Sequence, residues 1–377
     1  MRRPTLPFSP YRSNNPMKKL SLSAAAALAL LASCSSGTDS IPVIDLASNV
    51  KVADTENSDE ILEVKLALSP EVTDTTLIGG ISLSGISGDF FYISDDDHMM
   101  VFDKDGKCVY TFSRKGNGPG EYGQYAYAKL NPATKGWAAF SLQSPKVYNY
   151  SQSGEFTGSD TLPEVSVPDY AAGRWIGRSG SQASDTISIY YYNERFELTD
   201  TVSTPLLYQI FDNNGWKIAF GPSISSYGSQ ATMYWNDTVY NVTDPKAGLR
   251  PEASVNLGDL RMPAEMRGRG GEESGAYIEA TIHTTAGHYM AWVNYDNRLF
   301  AQFYDRKSGK LVASLSCQRD PDKPYGVPFS YEGKTVYLAP AYFTTDDAFY
   351  FTASDATMSE LTGDEEANPA IFSIQIK

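Results

Sequence analysis

Residues 90–122 decide the fold: Phe90-Phe-Tyr-Ile-Ser94, Asp95-Asp-Asp-His98, Met99-Met-Val-Phe102, Asp103-Lys-Asp-Gly106, Lys107-Cys-Val-Tyr-Thr-Phe112, then Ser113-Arg-Lys-Gly116-Asn-Gly118-Pro-Gly120-Glu-Tyr122. Three runs rich in aromatic and β-branched residues are separated by short polar breaks, the pattern of strands joined by tight turns. Gly106 closes the second break because such a turn needs a positive φ, which a Cβ penalises. The spacing predicts a strand ending at Asp95, a second through Phe102 and a third from Lys107.

The same hairpin recurs at Tyr148–Glu155, Ile210–Trp216 and Phe303–Lys310, with a looser copy at Val239–Asp244 that ends near Gly248. The turn glycines 106, 154, 215, 248 and 309 lie 48, 61, 33 and 61 residues apart. These intervals average near the roughly 40–50 residues of a four-stranded propeller blade. Five hairpins and a terminal unit spanning residues 341–376 predict six blades. The fold class expected is all-β, a six-bladed β-propeller occupying residues 41–377. An open ring would leave two bare sheet edges, so an N-terminal strand is expected to pair with the C-terminal blade. Ile41-Pro-Val-Ile-Asp-Leu46 is apolar and extended, and it is the strand expected to make that closure.

The N-terminus carries a different signal. Lys18 and Lys19 precede an apolar run from Leu20 to Leu31, followed by Ala32-Ser33-Cys34 and the polar tract Ser35–Ser40. The run is too short to span a bilayer. It resembles a bacterial lipoprotein signal with its lipobox. That resemblance implies that residues 1–33 are a signal peptide, with Met17 its fitting start, that Cys34 is lipidated, and that residues 34–40 are a flexible tether. The implied location is the bacterial cell envelope, held to a membrane by lipid, with the outer membrane expected.

Charge narrows the partners. The chain has 31 Lys+Arg and 45 Asp+Glu, and residues 1–33 hold five of the bases and none of the acids, leaving a formal charge of −19 after their removal. Such a surface repels nucleic acid and offers no counterion-release driving force, so nucleic-acid binding is excluded. Cys108 and Cys317 read as small buried apolar residues rather than a disulfide.

Few motifs point to chemistry. Gly116-Asn-Gly-Pro-Gly120 lacks the helix that a phosphate-binding glycine loop requires; it reads as a crossing between blades, with Tyr122 packed between them. Asp95, Asp103 and Asp105 offer hard oxygen ligands but lack the spacing of a calcium loop, and turn and strand-end capping is their reading. Neither metal nor cofactor is expected. No nucleophile elbow occurs, His98, His283 and His288 read as surface or inter-strand residues, and no catalytic residue is assigned. Aromatic faces beside arginines suit a sugar or peptide. The candidate ligand-binding residues, expected to line the central channel, are Tyr125, Tyr127, Arg174, Trp175, Arg178, Tyr234 and Trp235.

Residues 90–122 also resemble one NHL-type repeat. More broadly, residues 41–377 are similar to a family of six-bladed (NHL/TolB-like) propeller lipoproteins of Gram-negative bacteria, through Gly118-Pro-Gly-Glu-Tyr122, Asp237-Thr-Val-Tyr240 and Asn368-Pro-Ala-Ile371. The resemblance implies fold and location. The function expected is a non-catalytic binding or scaffolding module for a protein, peptide or glycan. The alternative is a glycan-active hydrolase or lyase working in the axial channel, for which inward-facing carboxylates or a His–carboxylate pair would speak.

Overall fold

The computed structural model describes Ser40–Lys377, apart from residues 96–97, 124–125, 142–143, 165–166, 180–185, 206–209, 212–216, 219–222, 264–275 and 319–322. Two strands, β1 (Val43–Asp45) and β2 (Leu62–Leu68), precede the first blade. Blade I is β3 (Leu83–Ser87), β4 (Phe90–Ser94), β5 (Met99–Phe102) and β6 (Cys108–Phe112). Blade II is β7 (Ala126–Leu130), β8 (Trp137–Ser141), β9 (Lys146–Tyr150) and β10 (Phe156–Thr161). Blade III is β11 (Asp169–Ala171), β12 (Arg174–Arg178), β13 (Thr186–Tyr192) and β14 (Leu198–Pro205). A two-stranded hairpin follows, β15 (Ile210–Phe211) and β16 (Lys217–Ile218). Blade IV is β17 (Ser223–Tyr227), β18 (Gln230–Trp235), β19 (Thr238–Asn241) and β20 (Arg250–Asn256). Blade V is β21 (Glu279–Thr284), β22 (His288–Tyr295), β23 (Arg298–Asp305) and β24 (Leu311–Ser316). Blade VI holds β25 (Val327–Tyr331), β26 (Lys334–Thr344), β27 (Phe349–Ala353) and β28 (Ala370–Ile376). The protein is a six-bladed β-propeller.

Six buried apolar clusters hold the ring, one at each blade interface. Between blades I and II, Phe112 stacks on Trp137 with centroids 5.6 Å apart and meets Tyr150 edge-on at 4.7 Å. Between V and VI, Phe303 meets Phe349 at 5.7 Å. Each sheet has two apolar faces, so a blade is stable only between neighbours, and burial of these faces is the main force closing the ring. The inner strands β3, β7, β11, β17, β21 and β26 face the axis, with β17 and β26 also touching across it. Thr344 of β26 fastens that crossing, its single hydroxyl donor shared between Ser226 O at 3.0 Å and Thr284 O at 2.9 Å.

The hairpin glycines do what local chemistry demands. Gly106, Gly154, Gly248 and Gly309 all have φ between 64° and 81° and sit between the third and fourth strands of blades I, II, IV and V. Asp103 completes its turn by accepting from the amides of Asp105 and Lys107, both at 3.0 Å. The fifth expected copy, Ile210–Trp216, is corrected: β15 and β16 form a separate hairpin between blades, and Gly215 lies outside the described residues. Blade III instead turns at Asn193–Phe196, where Phe196 takes φ 61° and the Asn193 side chain accepts from the amides of Arg195 and Glu197. The glycine-rich crossing lies between β6 and β7 with Tyr122 buried against Phe112 and Tyr150. Cys108 and Cys317 are both free thiols.

Closure uses a different strand from the one expected. β2 pairs antiparallel with β28, from Leu62↔Ile376 to Leu68↔Ile371, and so supplies the outermost strand of blade VI. β1, within the segment Ile41–Leu46, pairs parallel with β20 on the outer edge of blade IV. Ile44, Leu46 and Val50 are buried in the IV–V cluster. The chain then crosses the outer strand of blade V, where Thr55 N donates to Ser314 O at 2.8 Å and Asp54 accepts from Ser316 N at 3.0 Å. The N-terminal segment is therefore a belt over blades IV, V and VI, and it enters the propeller at blade IV rather than at the seam. Among the described residues, no helix is long and apolar enough to cross a membrane.

Candidate functional site

A pocket of about 430 Å³ opens where the β18–β19 turn of blade IV meets the starts of β21 and β23 in blade V. Tyr234 packs on the IV–V side, with Leu257, Met262 and Ile278 also in the lining, while Trp235 and Trp292 reach the lining from the neighbouring III–IV and V–VI clusters. Antiparallel pairing brings these residues to one face of the ring: β18 ends at Trp235, while β22 carries Trp292 opposite Thr281 of β21. The β18–β19 turn holds Asn236 and Asp237 in the left-handed region, at φ 49° and 58°, which presents both side chains at the pocket wall. Such a conformation suits asparagine and aspartate better than bulkier residues.

The polar groups of this pocket divide into two sets. Asp237 is held by Arg261 at 2.7 Å, and Glu279 accepts from Asn294 Nδ2 at 3.4 Å. By contrast, Trp235 Nε1, Asn236 Oδ1 and Thr281 Oγ1 are buried with no hydrogen-bond partner. A buried polar atom without a partner costs about 1–3 kcal/mol. All three belong to residues that line this pocket.

The predicted site residues do not converge on the axis. Tyr234 and Trp235 both line the IV–V pocket, but Trp235 is also a core residue of the III–IV cluster. Trp175 is a core residue, buried against Phe140, Tyr170 and Phe196 at the interface of blades II and III. Arg174, its neighbour on β12, points to the other face of the strand, where its charge acts on Tyr191. Tyr125 and Cys34 lie outside the described residues. Tyr127 and Lys129 share one face of the inner strand β7. Arg178 ends β12, the second strand of blade III, close enough to Asp169 on the inner strand β11 for the two charges to interact.

His283 is corrected from a surface or inter-strand residue to a buried group on the inner strand β21, 5 % exposed. Burial depresses its pKa to about 4, opposed by the charge of Asp169, so it is neutral at physiological pH. Strand periodicity alone could not find it, because on an inner strand both faces are enclosed. Among the described residues, no group of three or more His, Cys, Asp or Glu side chains is arranged to hold a metal ion.

Comparison with known proteins agrees with the fold. The chain is similar to a protein of Bacteroides fragilis inferred to be exported, at 18% identity and a TM-score of 0.66, over 89% of this chain and 99% of that one. It is also similar to a member of the DUF4221 family from Bacteroides vulgatus, at 10% identity and a TM-score of 0.52, over 84% and 99% of the two chains. No curated protein matches. The model of one family, described only as a domain of unknown function, spans residues 41–374, nearly the whole propeller, and the chain belongs to that family, DUF4934.

Proposed function

We propose that this propeller is a non-catalytic binding module of the bacterial envelope, and that its ligand is a glycan segment seated in the pocket between blades IV and V. The observation that carries this is the combination of Trp235, Trp292 and Tyr234 with three buried polar atoms that lack partners. Sugars present apolar C–H faces to aromatic rings and hydroxyls that both donate and accept. A purely apolar ligand would leave Trp235 Nε1, Asn236 Oδ1 and Thr281 Oγ1 unpaired.

Titration calorimetry with neutral oligosaccharides tests this. At least one should bind saturably, and Trp292→Ala should weaken it about tenfold or more, a loss of about 1.4 kcal/mol. An unchanged affinity in Trp292→Ala, or no saccharide bound across a broad array, overturns the reading. The hydrolase or lyase alternative has one observation in its favour, the two carboxylates Asp237 and Glu279 on the pocket wall, since glycoside cleavage uses such a pair. Asp237 is engaged by Arg261, which favours binding over acid catalysis. Product formation from a bound oligosaccharide, abolished in Glu279→Gln, would select the enzyme reading.

We further propose that Cys34 carries the lipid that tethers the module to a membrane. The run Lys18-Lys19, Leu20–Leu31, Ala32-Ser33-Cys34 supports it, as does the exported class inferred for the Bacteroides fragilis protein. Metabolic labelling with a fatty-acid probe should mark the wild-type protein and not Cys34→Ser, which should leave the membrane fraction.

A further inference from the structure

Five of the six blades send a polar or aromatic side chain toward the axis at one place. Lys129 of blade II donates to Asp169 of blade III at 2.6 Å and to Pro168 O at 3.0 Å. Asp169 in turn acts electrostatically on Tyr92 of blade I, on Arg178 of blade III and on His283 of blade V. Tyr342 of blade VI sets its ring 5.6 Å from His283.

Three features of this cluster are unexplained by folding alone. Arg178 is half-buried, and no described group hydrogen-bonds or ion-pairs with its guanidinium, while Oδ1 of Asp169 is engaged by Lys129. Both ring nitrogens of His283 are buried without a partner. Tyr342 is held at φ 59° within the bulge of β26 between Pro340 and Thr344, and it is largely exposed. An aromatic residue in the left-handed region costs backbone strain, and here that strain places a tyrosine ring at the axial mouth beside the histidine.

We propose that the axial mouth is a second binding site, for the carboxylate group of a small ligand, with Arg178 as the charged partner, His283 as a neutral hydrogen-bonding partner and the Tyr342 ring as a side wall. Charge selects the ligand class. Among the described residues, Lys129 and Asp169 form an ion pair and Arg178 is a cation without an ion-pair partner, which suits a monoanion. A guanidinium fork matches a carboxylate in two parallel hydrogen bonds, and a partly desolvated, unpaired cation gains most from such a partner. The site does not depend on the saccharide pocket, which lies around the β18–β19 turn.

Calorimetric titration with sodium glucuronate and with triglycine tests the shared carboxylate, and the two probes separate an acidic sugar from a peptide C-terminus. Glucose and triglycinamide are the uncharged counterparts. At least one carboxylate should bind in a way that Arg178→Gln weakens tenfold or more and Arg178→Lys partly retains, whereas any binding of the uncharged counterpart should be the same in wild type and Arg178→Gln. Only three histidines occur in the chain, so His283 can be assigned in a nitrogen-15 histidine spectrum by its loss in His283→Asn. Its resonance should move with the carboxylate and stay put with glucose, and its dispersion in the Arg178 variants reports that they fold. Trp292→Ala should leave the Arg178-dependent part of the carboxylate titration unchanged. Equal binding in Arg178→Gln, loss of the Arg178-dependent part in Trp292→Ala, or no shift of His283 with either carboxylate overturns the proposal.

Discussion

Asn368 is the side chain on which the seam of the ring most depends. It is 4 % exposed and precedes Pro369, which holds it extended at the entrance to β28. Its Nδ2 donates to Glu71 O and Thr76 O, both at 2.8 Å, and its Oδ1 accepts from Ile78 N at 2.9 Å. Those three backbone groups lie on the segment that carries the chain from β2 in blade VI to β3 in blade I. Asn368→Ala removes every one of these bonds. Glu71 is exposed and its carbonyl can turn to water, whereas Thr76 and Ile78 are buried. Two buried groups left unpaired at ~1–3 kcal/mol each predict a loss of about 4 kcal/mol, a large part of the stability of an ordinary domain.

Asn368→Asp gives the same argument a pH signature. The introduced carboxyl would face two carbonyl oxygens in a buried place, so its folded pKa lies above the ordinary value of about 3.9. Between those two values the folded state binds more protons than the unfolded state, so stability falls as pH rises through that window. The variant should be closest to wild type below pH ~4 and weakest at pH 7. Urea unfolding followed by tryptophan fluorescence at a series of pH values measures both effects. A loss under about 1 kcal/mol for Asn368→Ala, or an Asn368→Asp variant as stable as wild type at pH 7, would refute the reasoning.

Further outcomes follow from other contacts. Leu68→Ala, at the buried VI–I interface, should cost about 2–5 kcal/mol. Deleting residues 41–50 should lower the melting temperature yet keep one cooperative transition, because β2 still closes the ring; deletion through residue 68 should abolish that transition in calorimetry. Because the folded pKa of His283 is depressed from 6.5 to about 4, the folded state binds fewer protons in that window. Stability should therefore fall as pH drops from 6.5 to about 4, by about 3 kcal/mol at most, and His283→Gln should flatten the profile. A Cβ at Gly85 would overlap the ring and hydroxyl of Tyr92, so Gly85→Ala should cost about 1–3 kcal/mol, and less in a Tyr92→Leu background by double-mutant cycle. Arg306 pairs with Glu252 at 2.7 Å and lies over the Tyr227 ring at 5.2 Å. Arg306→Ala should cost about 3 kcal/mol in denaturant, and Arg306→Lys should recover only part, lacking the planar fork.

What could be read from the chain before folding was local. The turns at Gly106, Gly154, Gly248 and Gly309 were legible because a positive φ is a property of the residue itself. Strand composition and repeat spacing then led to six blades. The turn at Asn193–Phe196 escaped because its geometry is imposed by neighbouring blades on a phenylalanine that would not choose it. Closure was legible as a requirement and not as an assignment. Residues 41–46 and 62–68 are both short, extended and partly apolar, and only the approach of Phe372 and Ile374 decides that the second completes blade VI.

The sites divide in the same way. Aromatic content marked Trp175, Tyr234 and Trp235 alike, yet Trp175 is packed between blades II and III, Trp235 between III and IV at a pocket's edge, and Tyr234 lines that pocket from the IV–V side. Which way a ring points depends on the neighbour across the interface, and that neighbour is set by the ring as a whole. Lys129, Asp169, His283 and Tyr342 come from four different blades, and their meeting has no trace in their spacing. The amino-acid order by itself determined a β-propeller of six blades, because turns and strands are chosen by residues close together in the chain. The tertiary structure alone decided which strand seals the ring and which polar groups stand without partners, because both depend on contacts between segments that meet only after the ring has closed.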